Sequence, residues 1–250
     1  MLITLTMFVV GTLLGFIGAG GAGFVIAILT LVFHVPIQVA LGTALASMAF
    51  TTLSGTFGHF REGNISLRTG ILVGAFGAVG AFGGSRIAAM IPAARLYWLT
   101  TAMLFLSSLM LLLRLFVVKR ADKPKETVFT ASSHRHLKSV LLGLLTGLLA
   151  GTFGVGSTPF IQVGLLVLLG LSLRQSVGTT MLIILPIAIG GGMGYSFVGY
   201  LDVLLLFQVL LGTMTGAYLG SKFTRLAPQG LLKAAMVMTP AVAGSLMLLE

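Results

Sequence analysis

The chain has 250 residues; 57% are hydrophobic, only 8% carry a charge, and the mean hydropathy is +1.10. A soluble domain carries about one quarter charged residues, so an ordinary soluble fold is excluded. The net charge of +10 does not indicate nucleic-acid binding, because seven of the fifteen Lys and Arg residues lie between Arg114 and Lys138, beside hydrophobic segments. Basic residues there set topology and contact anionic lipid. The absence of cysteine excludes disulfides and thiolate metal sites.

Eight hydrophobic segments follow one another along the chain. They are the stretches that lack Asp, Glu, Lys and Arg, with the first stretch divided at Pro36. Counted with their flanks, most approach the ~20 residues that a membrane helix needs. The sequence therefore predicts an all-α polytopic membrane protein in a lipid bilayer. The uncharged stretches are residues 1–60, 69–85, 96–113, 139–173, 175–201, 203–221 and 234–249.

The two halves of the sequence resemble each other at one fixed offset. When Gly11 is placed on Gly147, the segment from Gly11 to Leu96 aligns with the second half without a gap, and nineteen of the aligned positions are identical. Most identities are glycines, and the register holds through loops as well as helices. We call two positions that this alignment superposes repeat-equivalent. It predicts two repeats of four segments: a first repeat at residues 1–118, a cytoplasmic linker at 119–137 and a second repeat at 138–250.

Each repeat opens with a long apolar stretch that glycine interrupts near its middle, Leu2 to Phe33 and Lys138 to Leu169. Glycine costs a helix about 1 kcal/mol per residue, and Pro159 removes a backbone donor, so the helix is expected to break. A break at membrane depth must face other helices or a polar cavity, and paired breaks point to a transporter's binding site. A simple kink or a close-packed glycine face is the alternative.

The distribution of basic residues tests whether these first stretches cross the membrane or re-enter it. If each crosses once, nine Lys and Arg residues lie inside and six outside; if each is a re-entrant pair of half-helices, thirteen lie inside and only Arg86 and Arg95 outside. The second distribution obeys the positive-inside rule far better. It predicts six full crossings, two re-entrant hairpins and an inverted second repeat.

Candidate binding residues come from the breaks and from a second repeated element. Gly42-Thr43 and Gly178-Thr179 follow the breaks, near predicted helix starts whose free N–H groups favour an anion. Gln162 is a lone amide in an apolar run that could bond the solute or another helix. Thr51 and Thr52 are expected instead to bond their own helix. The predicted substrate-binding residues are Gly18, Gly20, Gly21, Gly23, Gly42, Thr43, Gly154, Gly156, Ser157, Thr158, Pro159, Gln162, Gly178 and Thr179.

Several functions lack their residues. There is no Walker phosphate loop, no Gly-x-Ser-x-Gly elbow and no His-Glu-x-x-His helix, so no enzyme activity, metal or cofactor is predicted. No carboxylate lies deep in a segment, which leaves proton coupling without support. Arg86 and Lys222 are repeat-equivalent and lie at predicted helix ends, where side chains commonly reach the interface.

Taken together, the chain resembles the sulfite exporter family named for TauE and SafE. The resemblance lies in the length, the two homologous halves, the opening Gly15-Phe16-Ile17-Gly18-Ala19-Gly20-Gly21 and the element Ala40-Leu41-Gly42-Thr43, repeated as Ser176-Val177-Gly178-Thr179. It implies a secondary transporter in the cytoplasmic membrane of a prokaryote, exporting sulfite, sulfonates or related anions. Gly23 stands where the second half has Pro159, which departs from strict symmetry.

Three functions therefore remain open at this point. A carrier of small sulfur-containing anions working by alternating access is favoured. An anion channel, or a transporter of an unrelated solute, is the alternative, because the same breaks could line a pore. A membrane scaffold or enzyme subunit without a pathway of its own is the third. The oligomeric state is left open, with a homodimer as one alternative.

Overall fold

The structure is a computed structural model that describes residues 2–17, 22–61, 63–121, 133–154, 157–224 and 229–248. These residues form ten helices and, within those ranges, no strand. Five helices contain a segment long and apolar enough to cross a membrane: α4, α5, α6, α8 and α9. The ten helices are α1 (Leu2–Ile17), α2 (Ala22–Leu31), α3 (Ile37–Arg61), α4 (Leu67–Met90), α5 (Ala93–Ala121), α6 (Ser133–Phe153), α7 (Ser157–Val167), α8 (Leu173–Phe197), α9 (Val203–Thr224) and α10 (Gln229–Leu248).

The second opening stretch is broken where its glycines predicted a break, and in the first stretch two helices flank the predicted break. α1 ends at Ile17 and α2 begins at Ala22; α6 ends at Phe153 and α7 begins at Ser157. Gly154 has a φ of +64°, a left-handed conformation that glycine adopts without the steric cost of a Cβ atom. The predicted site residues Gly18, Gly20, Gly21 and Gly156 lie outside the described residues.

The two halves of each broken stretch fold back on each other. Ile3, near the start of α1, lines the same cavity of about 640 Å³ as residues 33–36, which follow α2. In the second stretch, Leu142 of α6 packs against Gly164 of α7, which a return of the chain after the break requires. We call α1–α2 the first hairpin and α6–α7 the second hairpin.

Glycines bring each hairpin's long helix against a helix from the other half of the chain. α1 runs parallel to α9, and a Cβ atom added at Gly11 would lie 2.6 Å from the carbonyl oxygen of Thr213. α6 runs parallel to α4, where a Cβ at Gly147 would overlap the backbone of Gly77. The glycine-rich faces thus serve close helix packing, as in membrane proteins generally.

α3 and α8 cross at the centre as an antiparallel pair, because Gly42 lies against Tyr195 while Leu45 and Ala46 lie against Gly191 and Gly192. The bundle therefore has two ends. The first face holds the α2–α3 and α8–α9 loops, whose residues share the 640 Å³ cavity. The second face holds the α3–α4 loop, whose Asn64 packs on Gly178 near the start of α8.

The packing around this central pair is unequal. α4 lies along α8, where Gly74 meets Pro186 and Gly190 meets Ala78. α9 touches α3 far less, even though it holds the corresponding place in the other half. Exposure follows the same division: Ile187 of α8 is 1% exposed, whereas the repeat-equivalent Thr51 of α3 is exposed. The α4–α8 contact is therefore extensive, and the α3–α9 contact is limited.

Helices α5 and α6 extend into the two ends of the predicted linker at 119–137. α5 continues through Ala121 and α6 begins at Ser133, while residues 122–132 lie outside the described ranges. Large apolar side chains such as Leu5, Ile71, Trp98 and Phe207 are 60% or more exposed. Such an exposed apolar surface is what lipid-facing helices present.

Candidate functional site

The tips of the two hairpins each place a helix N-terminus inside the bundle. α2 has ten residues and α7 has eleven, so each is roughly 15 Å long, about half of the hydrocarbon thickness. Each helix starts at the tip and runs outward. The first N–H groups of a helix have no intrahelical partner, and the dipole is positive at that end. Unpaired N–H groups of this kind are suited to an anion.

The second tip, which includes Gly154, lies against the first half of the chain. A Cβ atom at Gly154 would meet Leu41 of α3 and, at 3.1 Å, Ile26 of α2. Ser157 and Pro159 are buried in the first turn of α7, and Thr158 beside them is half-buried. Proline is tolerated in this first turn because its missing N–H would have had no helical partner. On α2, Gly23 holds the matching place and is buried.

Gln162 is a buried amide with spare hydrogen-bonding capacity. Its side chain is 5% exposed, and its Oε1 atom has no hydrogen-bond partner in the described part of the chain. Its backbone carbonyl accepts a hydrogen bond from Ser176 Oγ at 3.0 Å, which holds α7 to α8. A buried polar atom left unpaired costs about 1–3 kcal/mol, and because Oε1 is an acceptor, only a hydrogen-bond donor on a bound solute would recover that cost.

Gly42 and Gly178 are packing residues for two equivalent loops. A Cβ at Gly42 would lie 2.8 Å from the carbonyl oxygen of Tyr200, in the α8–α9 loop. A Cβ at Gly178 would overlap the carbonyl oxygen of Asn64, in the α3–α4 loop. Asn64 and Tyr200 are repeat-equivalent, so the same loop docks on the same glycine in each half. These glycines admit loops close to the central helices.

Thr43 and Thr179 are both fully buried, yet they differ in partner. Thr179 Oγ1 accepts a hydrogen bond from the Ser66 backbone N–H at 3.0 Å, whereas Thr43 Oγ1 has no partner among the described residues. Both lie in the second helical turn, well after the helix starts at Ile37 and Leu173, so neither stands beside free helix-start donors as predicted. At α8, Ser172 and Gln175 cap those donors instead.

The two Gly–Thr pairs do not converge on one point. Along the antiparallel α3–α8 pair, Thr43 lies near the first face and Thr179 near the second, roughly 20 Å apart at about 1.5 Å per residue. The other hydroxyls of α3 bond their own helix as expected: Thr51 and Thr52 donate to the Met48 carbonyl oxygen at 3.1 and 2.7 Å.

One buried residue close to these elements gave no signal in the sequence. Tyr195 of α8 is fully buried against Gly42, and its hydroxyl donates to the Gly151 carbonyl oxygen at 2.9 Å. It thereby ties the end of α6, just before the second tip, to the central helix pair. A single tyrosine in an apolar helix carries no pattern, and only the fold reveals its partner.

The half-helices α2 and α7 carry no charged side chain within their described bounds, Ala22–Leu31 and Ser157–Val167. Within the described ranges no group of three His, Asp or Glu side chains could hold a metal ion. Asp202 lies in the α8–α9 loop, where its Oδ1 accepts from the Leu205 N–H at 3.0 Å and caps α9. Among the described residues of the second hairpin, the predicted site residues offer hydroxyls and one amide beside the backbone N–H groups of the half-helix.

A bundle of apolar helices with half-length helices inside it defines a multi-pass membrane protein of the transporter class. The model of the sulfite exporter TauE/SafE family matches residues 3–247, and the chain belongs to that family. It is 56% identical to the probable membrane transporter protein YdhB of Bacillus subtilis (strain 168), over 99% of this chain and 100% of that protein. The chain is a membrane transporter and not an enzyme.

More distant relatives carry the same description. The probable membrane transporter protein YjnA of Bacillus subtilis (strain 168) is 24% identical, over 89% of both chains. A probable membrane transporter protein of Xylella fastidiosa (strain 9a5c) is also 24% identical, over 85% of this chain and 80% of that protein. No solved structure matches the chain.

Proposed function

We propose that the chain is a secondary transporter that exports small sulfur-containing anions, such as sulfite or organosulfonates, by alternating access between two inverted repeats. The observation that carries this proposal is the pair of half-helix N-termini at the hairpin tips, with the buried amide of Gln162, whose Nε2 can donate to an anion's oxygen, on one of those half-helices. The family description supplies the sulfur oxyanion. Free N–H donors and an amide suit sulfonate oxygens without requiring a buried cation.

The two-repeat arrangement is supported by the helix bounds and by the contacts. α3 and α8 begin and end at repeat-equivalent residues, and α4 and α9 begin at repeat-equivalent residues. The α1–α9 contact has its counterpart in α6–α4, and the α2–α10 contact in α7–α5. The repeats would comprise residues 1–118 and 138–250, joined through 119–137. α3, α4, α5, α8, α9 and α10 would cross fully, and the hairpins would re-enter.

The orientation in the membrane follows from the basic residues. With re-entrant hairpins, Arg86 and Arg95 fall at the first face and the other thirteen Lys and Arg residues at the second face or the linker. By the positive-inside rule the second face is cytoplasmic. A prokaryotic cytoplasmic membrane is supported by the Bacillus relative.

The binding site would lie between the two tips, where the halves meet. Ile26 of α2 contacts Gly154 at the second tip, and Gln162 is the repeat-equivalent of Ile26. The same geometry in the other half would bring Gln162 toward the start of α2, which begins at Ala22. One solute could then bridge both breaks, with Gln162 and Ser157 on its flank.

A carrier is favoured over a channel by the unequal packing. α4 packs tightly against α8 while the repeat-equivalent α9 touches α3 far less, and such an asymmetry is expected of one state of an alternating-access carrier. A channel needs a path open at both ends. Saturable flux that is stimulated by solute on the opposite side distinguishes the carrier, whereas a channel would show neither property.

The test is flux of radiolabelled sulfite and of a two-carbon sulfonate in proteoliposomes, with Gln162→Ile and Gln162→Glu beside the unsubstituted protein. Gln162→Ile copies the repeat-equivalent residue Ile26 and is expected to lower flux about tenfold or more, since a hydrogen bond to a charged group is lost. Gln162→Glu places a negative charge beside the anion and is expected to lower it further.

Gln208→Ile is the matched control, because Gln208 is a half-buried amide on α9, away from both tips. It is expected to leave flux unchanged. Equal flux in both Gln162 variants and the unsubstituted protein would remove Gln162 from the site. No flux of any anion above protein-free vesicles would refute the transport of sulfur anions.

A further inference from the structure

The cavity at the first face holds three polar side chains that have no polar counterpart of the same kind in the other half of the chain. It has a volume of about 640 Å³ and lies between α1, the α2–α3 loop and the start of α9. Among the described residues that line it, the polar side chains are those of His34, Asp202 and Gln208. Their repeat-equivalent residues are Gly170, Ser66 and Leu72. The shared packing of the two halves therefore does not explain these three groups.

His34 occupies a backbone conformation that favours glycine. Its φ is +49°, in the left-handed region, and the repeat-equivalent Gly170 has a φ of +66°. A residue with a Cβ atom is strained in this region, although histidine tolerates it better than most residues do. Since glycine serves the same turn in the other half, the loop does not need an imidazole in order to form. The His34 side chain is held at the cavity in spite of this strain.

Asp202 gives the cavity a negative charge. Its Oδ1 accepts a hydrogen bond from the Leu205 N–H at 3.0 Å, and a carboxylate can accept further donors. Asp202 is exposed, and no Lys or Arg residue lines the cavity in the part of the chain that the structure describes. A cation that can donate hydrogen bonds is the group that fits beside this carboxylate.

An apolar groove of about 700 Å³ adjoins the cavity and follows α1 and α9 into the membrane. Gln208 lines both the cavity and the groove. Thr215, which also lines the groove, lies roughly 18 Å along α9 from its start, close to the ~15 Å hydrocarbon depth of one leaflet. The Thr215 hydroxyl donates to its own helix, to the carbonyl oxygens of Leu211 and Gly212. On α1 the groove is lined by Leu2, Thr4, Leu5 and Phe8.

We propose that the cavity and the groove together bind one phospholipid with a primary ammonium headgroup, phosphatidylethanolamine, from the leaflet at the first face. The ammonium group donates to the Asp202 carboxylate, and an imidazole N–H of His34 donates to the phosphate. An acyl chain fills the groove between α1 and α9. The polar cavity at the end of α9 and the apolar groove along it follow the order of headgroup and chain in such a lipid.

The carboxylate selects among headgroups. Phosphatidylglycerol would bring a net negative charge beside Asp202, and the quaternary ammonium of phosphatidylcholine has no N–H to donate. The side of α9 that carries Leu204 and Leu211 is exposed, so the lipid lies on the membrane-facing surface and apart from the hairpin tips. The proposal therefore does not depend on the proposed solute or on alternating access.

The test measures which phospholipid stays bound to the protein. The full chain is reconstituted in nanodiscs of phosphatidylethanolamine, phosphatidylcholine and phosphatidylglycerol in equal amounts, released into mild detergent, and its lipid adducts are counted by native mass spectrometry. Phosphatidylethanolamine is expected to exceed each of the other two about two- to fivefold, the range that an exposed ion pair allows.

Asp202→Asn removes the charge and keeps a good helix cap, so it is expected to abolish this preference. Ser66→Asn is the matched control, because it places the same side chain at the repeat-equivalent helix start on the second face; the preference should be unchanged. His34→Gly is expected to lower the binding of phosphatidylethanolamine without lowering thermal stability, since glycine adopts this conformation without strain. A histidine needed only for the loop would give the opposite pair of results.

Thr215→Phe fills the groove and is expected to lower the binding of all three lipids without changing their ratio. Phosphoethanolamine, the soluble headgroup without chains, is expected not to displace the lipid. If it did displace the lipid, and Thr215→Phe had no effect, the cavity would take a soluble amine and the lipid site would be overturned.

Two further results would contradict the proposal. Equal amounts of the three lipids on the unsubstituted protein would overturn the selection by headgroup. A preference for phosphatidylethanolamine that Asp202→Asn leaves intact would place the lipid elsewhere and overturn this site. Lipid counting needs no solute, so an absence of sulfite or sulfonate flux would refute the proposed function and leave the lipid site standing.

Discussion

At the scale of single residues, Thr43 and Thr179 show how the same motif takes two roles. Thr179→Val removes the buried acceptor of the Ser66 N–H and is expected to lower the free energy of unfolding by about 1–3 kcal/mol. Thr43→Val removes an oxygen with no partner among the described residues and is expected to leave stability unchanged or raise it. Thermal or denaturant unfolding of the purified proteins in detergent measures both.

The two valine variants serve as controls for each other, because they make the same chemical change in equally buried places. If Thr43→Val lowered stability as much as Thr179→Val, Thr43 would have a structural partner after all. If Thr43→Val kept full stability but lost flux, the unpaired hydroxyl would belong to the solute's path.

The sequence predicted side-chain hydrogen bonds only where both partners lie on the same helix. The bonds of Thr51 and Thr52 to Met48 follow from helical spacing alone and are confirmed. The partner of Thr179 comes from a loop 113 residues away, so no local pattern announced it. The same holds for Phe82 and Phe197, whose contact needs two helices brought together by glycines elsewhere.

At the scale of helices, close packing rests on particular glycines. Gly147→Ala would put a methyl group into the backbone of Gly77 and is expected to destabilise the α4–α6 pair by several kcal/mol, as overpacking does. Gly83→Ala is the matched control, since Gly83 is also helical but nothing lies within 4 Å of an added Cβ. It is expected to be neutral or to stabilise by about 0.5–1 kcal/mol. Unfolding in detergent again measures both, and equal effects would contradict the packing role.

Helix breaks were more predictable from sequence than helix partners. Clustered glycines located both interruptions, because poor helix propensity acts within a few residues. The predicted helix starts beside Thr43 and Thr179 were wrong, since α3 begins at Ile37 and α8 at Leu173, more than one turn before each Gly–Thr pair. Which helix faces which glycine depends on the whole fold, and the sequence offered only the fixed offset between its halves.

At the scale of the whole molecule, the halves hold each other through the α1–α9 and α4–α6 pairs. We expect residues 1–121 and 133–250, expressed as separate chains in the same cells, to assemble and co-purify. Each chain alone should be degraded or aggregate, because its glycine faces would lack their partner helices. Affinity capture through a tag on one half measures this; a half that is stable and monomeric alone would contradict the interlocked packing.

The same interlocking has a consequence for biosynthesis. Gly11 is translated near the start of the chain, whereas Thr213, the residue against which it packs, comes near the end. At ~5–20 residues per second, α1 waits roughly 10–40 s in the membrane before its partner α9 emerges. During that interval its glycine face is open to lipid or to other proteins. Membrane insertases or chaperones that shield short, glycine-rich helices are therefore expected to limit the yield of this protein more than its final stability does.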